Sequence, residues 1–400
     1  MIARAAASAL LRRMRAGRIV VEEGRRRQEF GTPGSELEAT VRVNSPHAWP
    51  ALLRGSAGLS RSYVAGEWDC RDLVSLFRIG AREMPRLDRL RRPFLPLRDA
   101  LTRIPRNTRA RAREHVAAHY DLGNELFELF LDPSLTYSCA VFDPPDATLA
   151  EAQERKLDLV CRRLGLGPDD HVVEVGTGWG SFALHAASRY GCRVTTTTIS
   201  AEQHARASAR VREAGLSDRV EVLAQDYRDL RGSYDKLVSI EMIEAVGWQY
   251  FDEYFRSCSK LLRPDGAMLL QAIVVDDDAY EAEKASRTFI RELIFPAGCL
   301  PSIRVIDDSL RRVTDMRRLH LDDLTAHYPV TLRRWRERFV AAAGRAERLG
   351  YDRAFRRLWE LYLAYCEAGF TERRIRVVQM ALAKPRHAAP RAPALATALG

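Results

Sequence analysis

The sequence lacks any uninterrupted apolar run of the ~18 residues that a membrane-spanning helix needs, so no segment is expected to cross a bilayer. It also lacks a C-x-x-C pair. Its seven cysteines, at 70, 139, 161, 192, 258, 299 and 366, are dispersed and odd in number. That argues against a disulfide framework and a zinc site and for a reducing compartment, and no metal is expected. The first eighteen residues contain no acid and no long apolar core. With Arg4, Arg12, Arg13, Arg15 and Arg18 set among alanine and leucine, they read as a basic amphipathic helix rather than a secretory signal, although transit peptides share the pattern. Acids are scarce again between residues 86 and 113, where ten arginines face only Asp88 and Asp99, and Pro93, Pro96 and Pro105 interrupt any helix. Aromatics are nearly missing from that stretch too, Phe94 being the only one.

What is present is an ordinary soluble composition: 46% apolar and 29% charged residues over 400 positions, enough for two domains with ample core. The net charge of +10 points to an anionic partner. For the arginine-rich stretch an anionic membrane surface is the favoured reading. A plain linker comes second, and nucleic acid last because the stacking aromatics of a single-strand platform are absent.

Three parts follow. Residues 1–85 form a small α+β module, with strands expected at 19–21 and 37–43 and a helix at 73–81 capped by Asp72. Residues 86–113 are a basic Pro/Arg linker, and residues 114–400 alternate strands with helices, giving a mostly parallel sheet. That part centres on His171-Val-Val-Glu-Val-Gly-Thr-Gly-Trp-Gly-Ser181, a buried strand, a glycine turn and a helix start. The dinucleotide fingerprint G-x-G-x-x-G is not met: the spacing is G-x-G-x-G, Ser181 stands where the third glycine belongs, and the next strand ends in Thr198-Ile-Ser200 with no acid for a ribose. S-adenosylmethionine is therefore preferred over a nicotinamide cofactor. Ser200-x-x-Gln203 opens the next helix, and further strands are expected at 220–223, 236–240 and 267–275. Asp226-Tyr-Arg228, Glu241 to Glu244 and Gln271 fall at or near strand ends, where α/β sheets bind ligands.

Six motifs in order, His119-Tyr-Asp-x-Gly-Asn124, Tyr137-Ser-Cys139, Glu174-Val-Gly-Thr-Gly-Trp-Gly180, Gln225-Asp-Tyr-Arg228, Glu241-Met-Ile-Glu-Ala-Val-Gly247 and Phe295-Pro-Ala-Gly-Cys-Leu-Pro-Ser302, resemble the cyclopropane-fatty-acyl-phospholipid synthases and mycolic acid cyclopropane synthases. The resemblance implies a Rossmann-like class I S-adenosylmethionine methyltransferase fold behind a lipid-associating N-terminal domain. It implies transfer of the methyl group to a cis double bond of a phospholipid acyl chain through a carbocation, closing to a cyclopropane. The base it implies is a bicarbonate ion held by Cys139 through its backbone, Glu244 and Tyr328, with Cys366 close by. Cofactor contacts carry over to Tyr137, Ser138, Gly176, Gly178, Thr198, Gln203, Tyr227 and Arg228. Gln271 departs from the family's histidine and cannot exchange protons near neutral pH. A hydride shift and a methylene product, the precursor of a methyl-branched chain, is thus the alternative outcome. The resemblance further implies unsaturated phospholipids as partners, a cytoplasmic enzyme peripherally attached to the membrane, and compatibility with a homodimer and a reductase partner. A methyltransferase for a soluble small molecule is the remaining alternative. Residues 276–300, acidic and then apolar, are expected to form a lid or an acyl-chain entrance. Taken singly, Tyr328 and the cysteines are as readily core residues, and Glu244 suits a helix start by charge alone.

Overall fold

The computed structural model describes residues 2–91, 111, 122–286, 288–296 and 298–388; residues 92–110 of the arginine-rich stretch, and His119, lie outside them. The N-terminal domain opens with the helix Ile2–Leu11 and builds a four-stranded sheet ordered β2-β1-β3-β4 from β1 (Arg18–Glu23), β2 (Arg26–Gly31), β3 (Glu38–Val43) and β4 (Trp68–Cys70). Alternation in β3 turns Ala39 and Val43 inward and Glu38, Thr40 and Arg42 outward, as a half-covered strand requires. β2, hidden in the sequence by its polarity, pairs with β1 through a tight turn at Gly24 and buries only Phe30. Charge pairing compensates: Arg18 reaches Glu29 and Glu38 on the two neighbouring strands at 2.8 and 2.6 Å. The short helices Ala48–Leu53 and Gly55–Val64 were likewise not expected.

The helix expected over 73–81 runs on to Arg91, through Pro85. Proline disfavours that on local grounds; packing of the helix against the helix Arg353–Thr371 prevails, aided by Glu372, which pairs with Arg78 and Arg82 at 2.7 and 2.6 Å.

The larger domain holds β5 (His171–Val175), β6 (Arg193–Thr198), β7 (Val220–Ala224), β8 (Tyr234–Ile240), β9 (Leu262–Val274), β10 (Arg317–Asp323) and β11 (Arg376–Ala383) in the order β10-β11-β9-β8-β5-β6-β7. The five strands from β9 to β7 are parallel; β11 and β10 are antiparallel additions. Val172 to Val175 are all buried, the mark of a central strand covered on both faces. One face packs Phe182, Ala183, Ala186, Val160 and Leu164; the other packs Phe251, Tyr254, Phe255, Ile306 and Leu310. The chain winds outward from β5 to β7 and returns at β8 on the other side of β5. That reversal leaves a crevice beyond the carboxyl ends of β5 and β8.

A third apolar cluster runs from Val21, Trp49 and Trp68 in the small domain to Phe127, Trp335 and Trp359 in the large one. Arg357 ties the two together: Nε donates to Tyr63 O at 2.7 Å, Nη2 to Trp68 O at 2.9 Å, and Nη1 meets Asp69 at 2.7 Å. Among the described residues no helix is long and apolar enough to cross a membrane, and no cluster of His, Cys, Asp and Glu could hold a metal. All seven cysteines are free thiols.

Candidate active site

β5 delivers the chain to the crevice, and the turn after it must come close to whatever binds there. Gly178 has φ +52°, and a Cβ placed on it would meet no protein atom within 4 Å, so the backbone opens directly onto the cavity. At Gly176 the reverse holds: a Cβ would lie 3.1 Å from Met242 Cγ. Tyr137, Ser138, Gly176, Gly178, Thr198, Gln203, Tyr227 and Arg228, the eight expected cofactor residues, all line this one cavity, together with Glu174, Asp226 and Glu241. The end of β6 is fixed by Thr198, whose hydroxyl donates to Gln203 Oε1 at 2.8 Å, while Ser200 caps the following helix. Asp226 and Arg228 form a two-pronged pair at 2.9 and 2.6 Å. Glu174 is buried and accepts the Thr196 hydroxyl at 2.6 Å; burial pushes its carboxyl up to about 8. A polar, glycine-edged crevice of this kind fits an extended nucleoside cofactor.

Where β8 ends, the cavity meets a second, tighter cluster. Glu241 leaves the strand in a left-handed conformation, φ +48°, rare for a residue with a side chain. Its Oε1 accepts the Cys139 backbone N–H at 2.9 Å and Gln271 Nε2 at 2.7 Å, and its Oε2 accepts the Tyr328 hydroxyl at 2.5 Å. Gln271 is buried on β9 directly opposite Gln379 on β11, and its Oε1 accepts Gln379 Nε2 at 2.8 Å, which fixes the amide's direction. Nearby, fully buried Lys156 donates to Ser138 Oγ at 2.8 Å, and burial pushes its ammonium down to about 8. Burial also raises the Glu241 carboxyl, against the lowering effect of Tyr328, Cys139, Gln271 and Lys156.

The structure thus gathers Cys139, Gln271 and Tyr328 as expected, but it puts Glu241 rather than Glu244 at their centre. Glu244 turns away: its Oε1 accepts the Ile273 N–H at 2.5 Å, and its Oε2 is buried with no hydrogen-bond partner among the described residues. Its carboxyl is pushed up to about 8, by burial first and the Glu241 charge second. Cys366 joins none of the cluster's hydrogen bonds among the described residues; it sits at the edge of the apolar core shared by the two domains, its thiol pushed up to about 12 by burial. The Cys139 thiol is also held far above its usual range by burial, so its contribution is the backbone N–H. Lys156 and Gln379 went unnoticed in sequence, and Glu174 stood there only as the first residue of the glycine motif, because a lysine inside a helix and polar residues inside strands carry no periodic signal.

The profile of the family described as "Mycolic acid cyclopropane synthetase" matches residues 107–380. Tuberculostearic acid methyltransferase UfaA1 of Mycobacterium tuberculosis (strain ATCC 25618 / H37Rv) is 41% identical over 339 residues, covering 82% of this chain and 79% of its own length. Cyclopropane-fatty-acyl-phospholipid synthase of Escherichia coli (strain K12) is 36% identical over 350 residues, covering 86% and 88%. The solved structure of mycolic acid cyclopropane synthase CmaA1 complexed with SAH and CTAB superposes with a TM-score of 0.63 at 32% identity, covering 68% of this chain and 98% of that one.

Proposed function

This chain belongs to the mycolic acid cyclopropane synthetase family and is an S-adenosylmethionine-dependent methyltransferase acting on lipids, and from that premise we propose that it methylates a cis double bond in a phospholipid acyl chain at a membrane surface. The supporting observation is the shared cavity: the glycine turn that fits the cofactor and the carboxylate Glu241 line one space, so a methyl donor and a proton acceptor face the same substrate. Bound S-adenosylmethionine supplies an electrophilic methyl group. An alkene needs no deprotonation before it attacks, so the protein's work is to hold it in line and keep water out. Tyr137 lines the cavity, packed edge-on against Phe127 and hydrogen-bonded to Tyr362 at 2.8 Å, and its ring can stabilise a carbocation through its quadrupole. Closure to a cyclopropane is the expected outcome; Gln271 in place of a histidine favours the methylene product as the second reading.

The N-terminal domain supports the membrane part. It contains a largely apolar cavity lined by Leu11, Met14, Val21, Trp49 and Phe77 together with Arg13 and Arg86, and Ile2, Leu10 and Leu53 of the same domain are exposed. Incubating the protein with methyl-labelled S-adenosylmethionine and anionic vesicles of unsaturated phospholipid should put label into the acyl chains with a mass gain of one CH2. Fragmentation then separates ring from branch. No label in any unsaturated phospholipid would end this reading.

A further inference from the structure

We propose that the Glu241 carboxylate itself fills the small-anion cradle of this site and takes the proton released by the methylated substrate, so that the enzyme works without bicarbonate. The inference rests on the methyl-transfer reading above. A bound oxyanion in this place needs the Cys139 N–H, the Tyr328 hydroxyl and the side chain at 271, and all three already point at one carboxylate, at 2.9, 2.5 and 2.7 Å. Those donors come from three separate parts of the chain: the loop before the helix Leu149–Leu164, the start of the helix Tyr328–Ala341, and β9. Their convergence on a protein carboxylate leaves no room for a second anion, which would sit against the first at contact distance with like charge. Bicarbonate therefore does not fit the residues present.

The geometry also suits a base. A carboxylate offers about four lone-pair directions, and two are used on Oε1 and one on Oε2. Among the described residues one direction on Oε2 stays open, and Glu241 lines the cavity beside Tyr137, Ser138 and Gly176. Its left-handed backbone, a conformation costing on the order of 1 kcal/mol, is what swings the side chain off the end of β8 into that position. The other ionisable groups acting on it are Tyr328, the Cys139 thiol, Glu244 and Lys156, whose ammonium donates to Ser138. Burial raises the Glu241 carboxyl above its ordinary range, the direction that strengthens a general base.

The balance is complete without a further reagent. One alkene carbon forms a bond to the methyl carbon as the sulfur–carbon bond breaks, leaving a cation on the other alkene carbon. Either that cation is closed on by the methyl carbon, or a hydride moves across to it first. In both cases a methyl C–H bond supplies the electron pair, for the ring or for the exocyclic double bond, and its proton goes to Glu241 Oε2 and then to solvent.

The test compares the full chain, Glu241→Gln and Glu241→Ala in carbon-dioxide-free buffer with and without added bicarbonate, on the same vesicles. The unmodified chain should turn over at one rate in both buffers. Glu241→Gln, which keeps shape and loses basicity, should lose on the order of 10²- to 10⁴-fold in kcat. Its affinity for S-adenosylhomocysteine and its melting temperature should hold. Carbon-13 bicarbonate should show line broadening with Glu241→Ala, whose cradle is vacated, and none with the unmodified chain. An unmodified chain that stops when carbon dioxide is stripped and restarts with bicarbonate, or a Glu241→Gln variant at full rate, would overturn the inference and leave methyl transfer standing. An unmodified chain inactive on every unsaturated phospholipid in either buffer would instead remove the reading beneath it.

Discussion

Tyr328 holds one oxygen of Glu241 with a single short hydrogen bond, 2.5 Å long, and that bond favours the ionised carboxylate. Hydrogen bonds to a charged group contribute about 1.5–3 kcal/mol. Tyr328→Phe should therefore raise the Glu241 carboxyl further and move the acid limb of the pH–rate profile upward by roughly one to two pH units. A profile that keeps its limb while the rate falls would show that the tyrosine only braces the loop. Glu244 offers an opposite experiment, on stability. Its carboxyl is raised from 4.5 to about 8, so between those values the folded chain keeps a proton that the unfolded chain has released, and stability falls as pH rises through that window. Glu244→Gln should thus match the parent's melting temperature near pH 5, exceed it increasingly toward pH 8, and hold a constant lead above that. A lead that does not grow with pH would mean the carboxyl is not raised. Residue by residue, the sequence was most legible where a motif fixes the backbone: Gly176, Gly178, Thr198 and Gln203 line the cavity, as the family resemblance implied. It did not single out Glu241 beside Glu244, because three positions separate them and both lie near the end of β8, while the left-handed conformation of Glu241 is a backbone property no side chain announces.

At the scale of elements the strand, turn and helix of residues 171–190 make the clearest prediction. Gly178→Val would force a β-branched residue to φ +52° and push its methyl groups into the cavity rather than into protein. Calorimetry should find no S-adenosylhomocysteine binding while far-ultraviolet circular dichroism stays unchanged; retained affinity would show that the cofactor lies elsewhere. The parallel strands were readable because burial on both faces gives nearly continuous apolar runs, such as Val172, Val173 and Val175 around the single Glu174. β2 and the second half of the helix Leu73–Arg91 were not. β2 is an edge strand held by ion pairs, and the helix passes Pro85 because its partner helix and Glu372 outweigh local preference. The stretch at 276–300, expected as a lid, contains the short helix Tyr280–Ala285 and a five-residue turn at Ile290–Ile294. Arg291 ties it down by donating to the carbonyls of Gly298, Lys284 and Ser286.

For the molecule as a whole, the question is how an enzyme with a net charge of +10 and no membrane-spanning helix among its described residues reaches an acyl chain. On the proposed reading, charge alone would attract it to an anionic surface but would not open a path into oil. The helix Ile2–Leu11 would supply the apolar part: Ile2 is 88% exposed, Leu10 is 39% exposed, and Leu53 is 46% exposed. Burying such a side chain contributes about 1.5–3 kcal/mol, so Ile2→Ser and Leu10→Ser together should reduce partition onto anionic vesicles by roughly a hundredfold or more in a flotation assay. Both positions lie away from the cofactor cavity, and S-adenosylhomocysteine affinity should not change. Salt discriminates the two forces. Added salt screens the arginines and should weaken the parent's binding, leaving the apolar increment between parent and variant nearly constant. If the variant binds as tightly as the parent at every ionic strength, attachment is purely electrostatic. The exposed leucines and isoleucine would then have no part in bringing the double bond to Glu241.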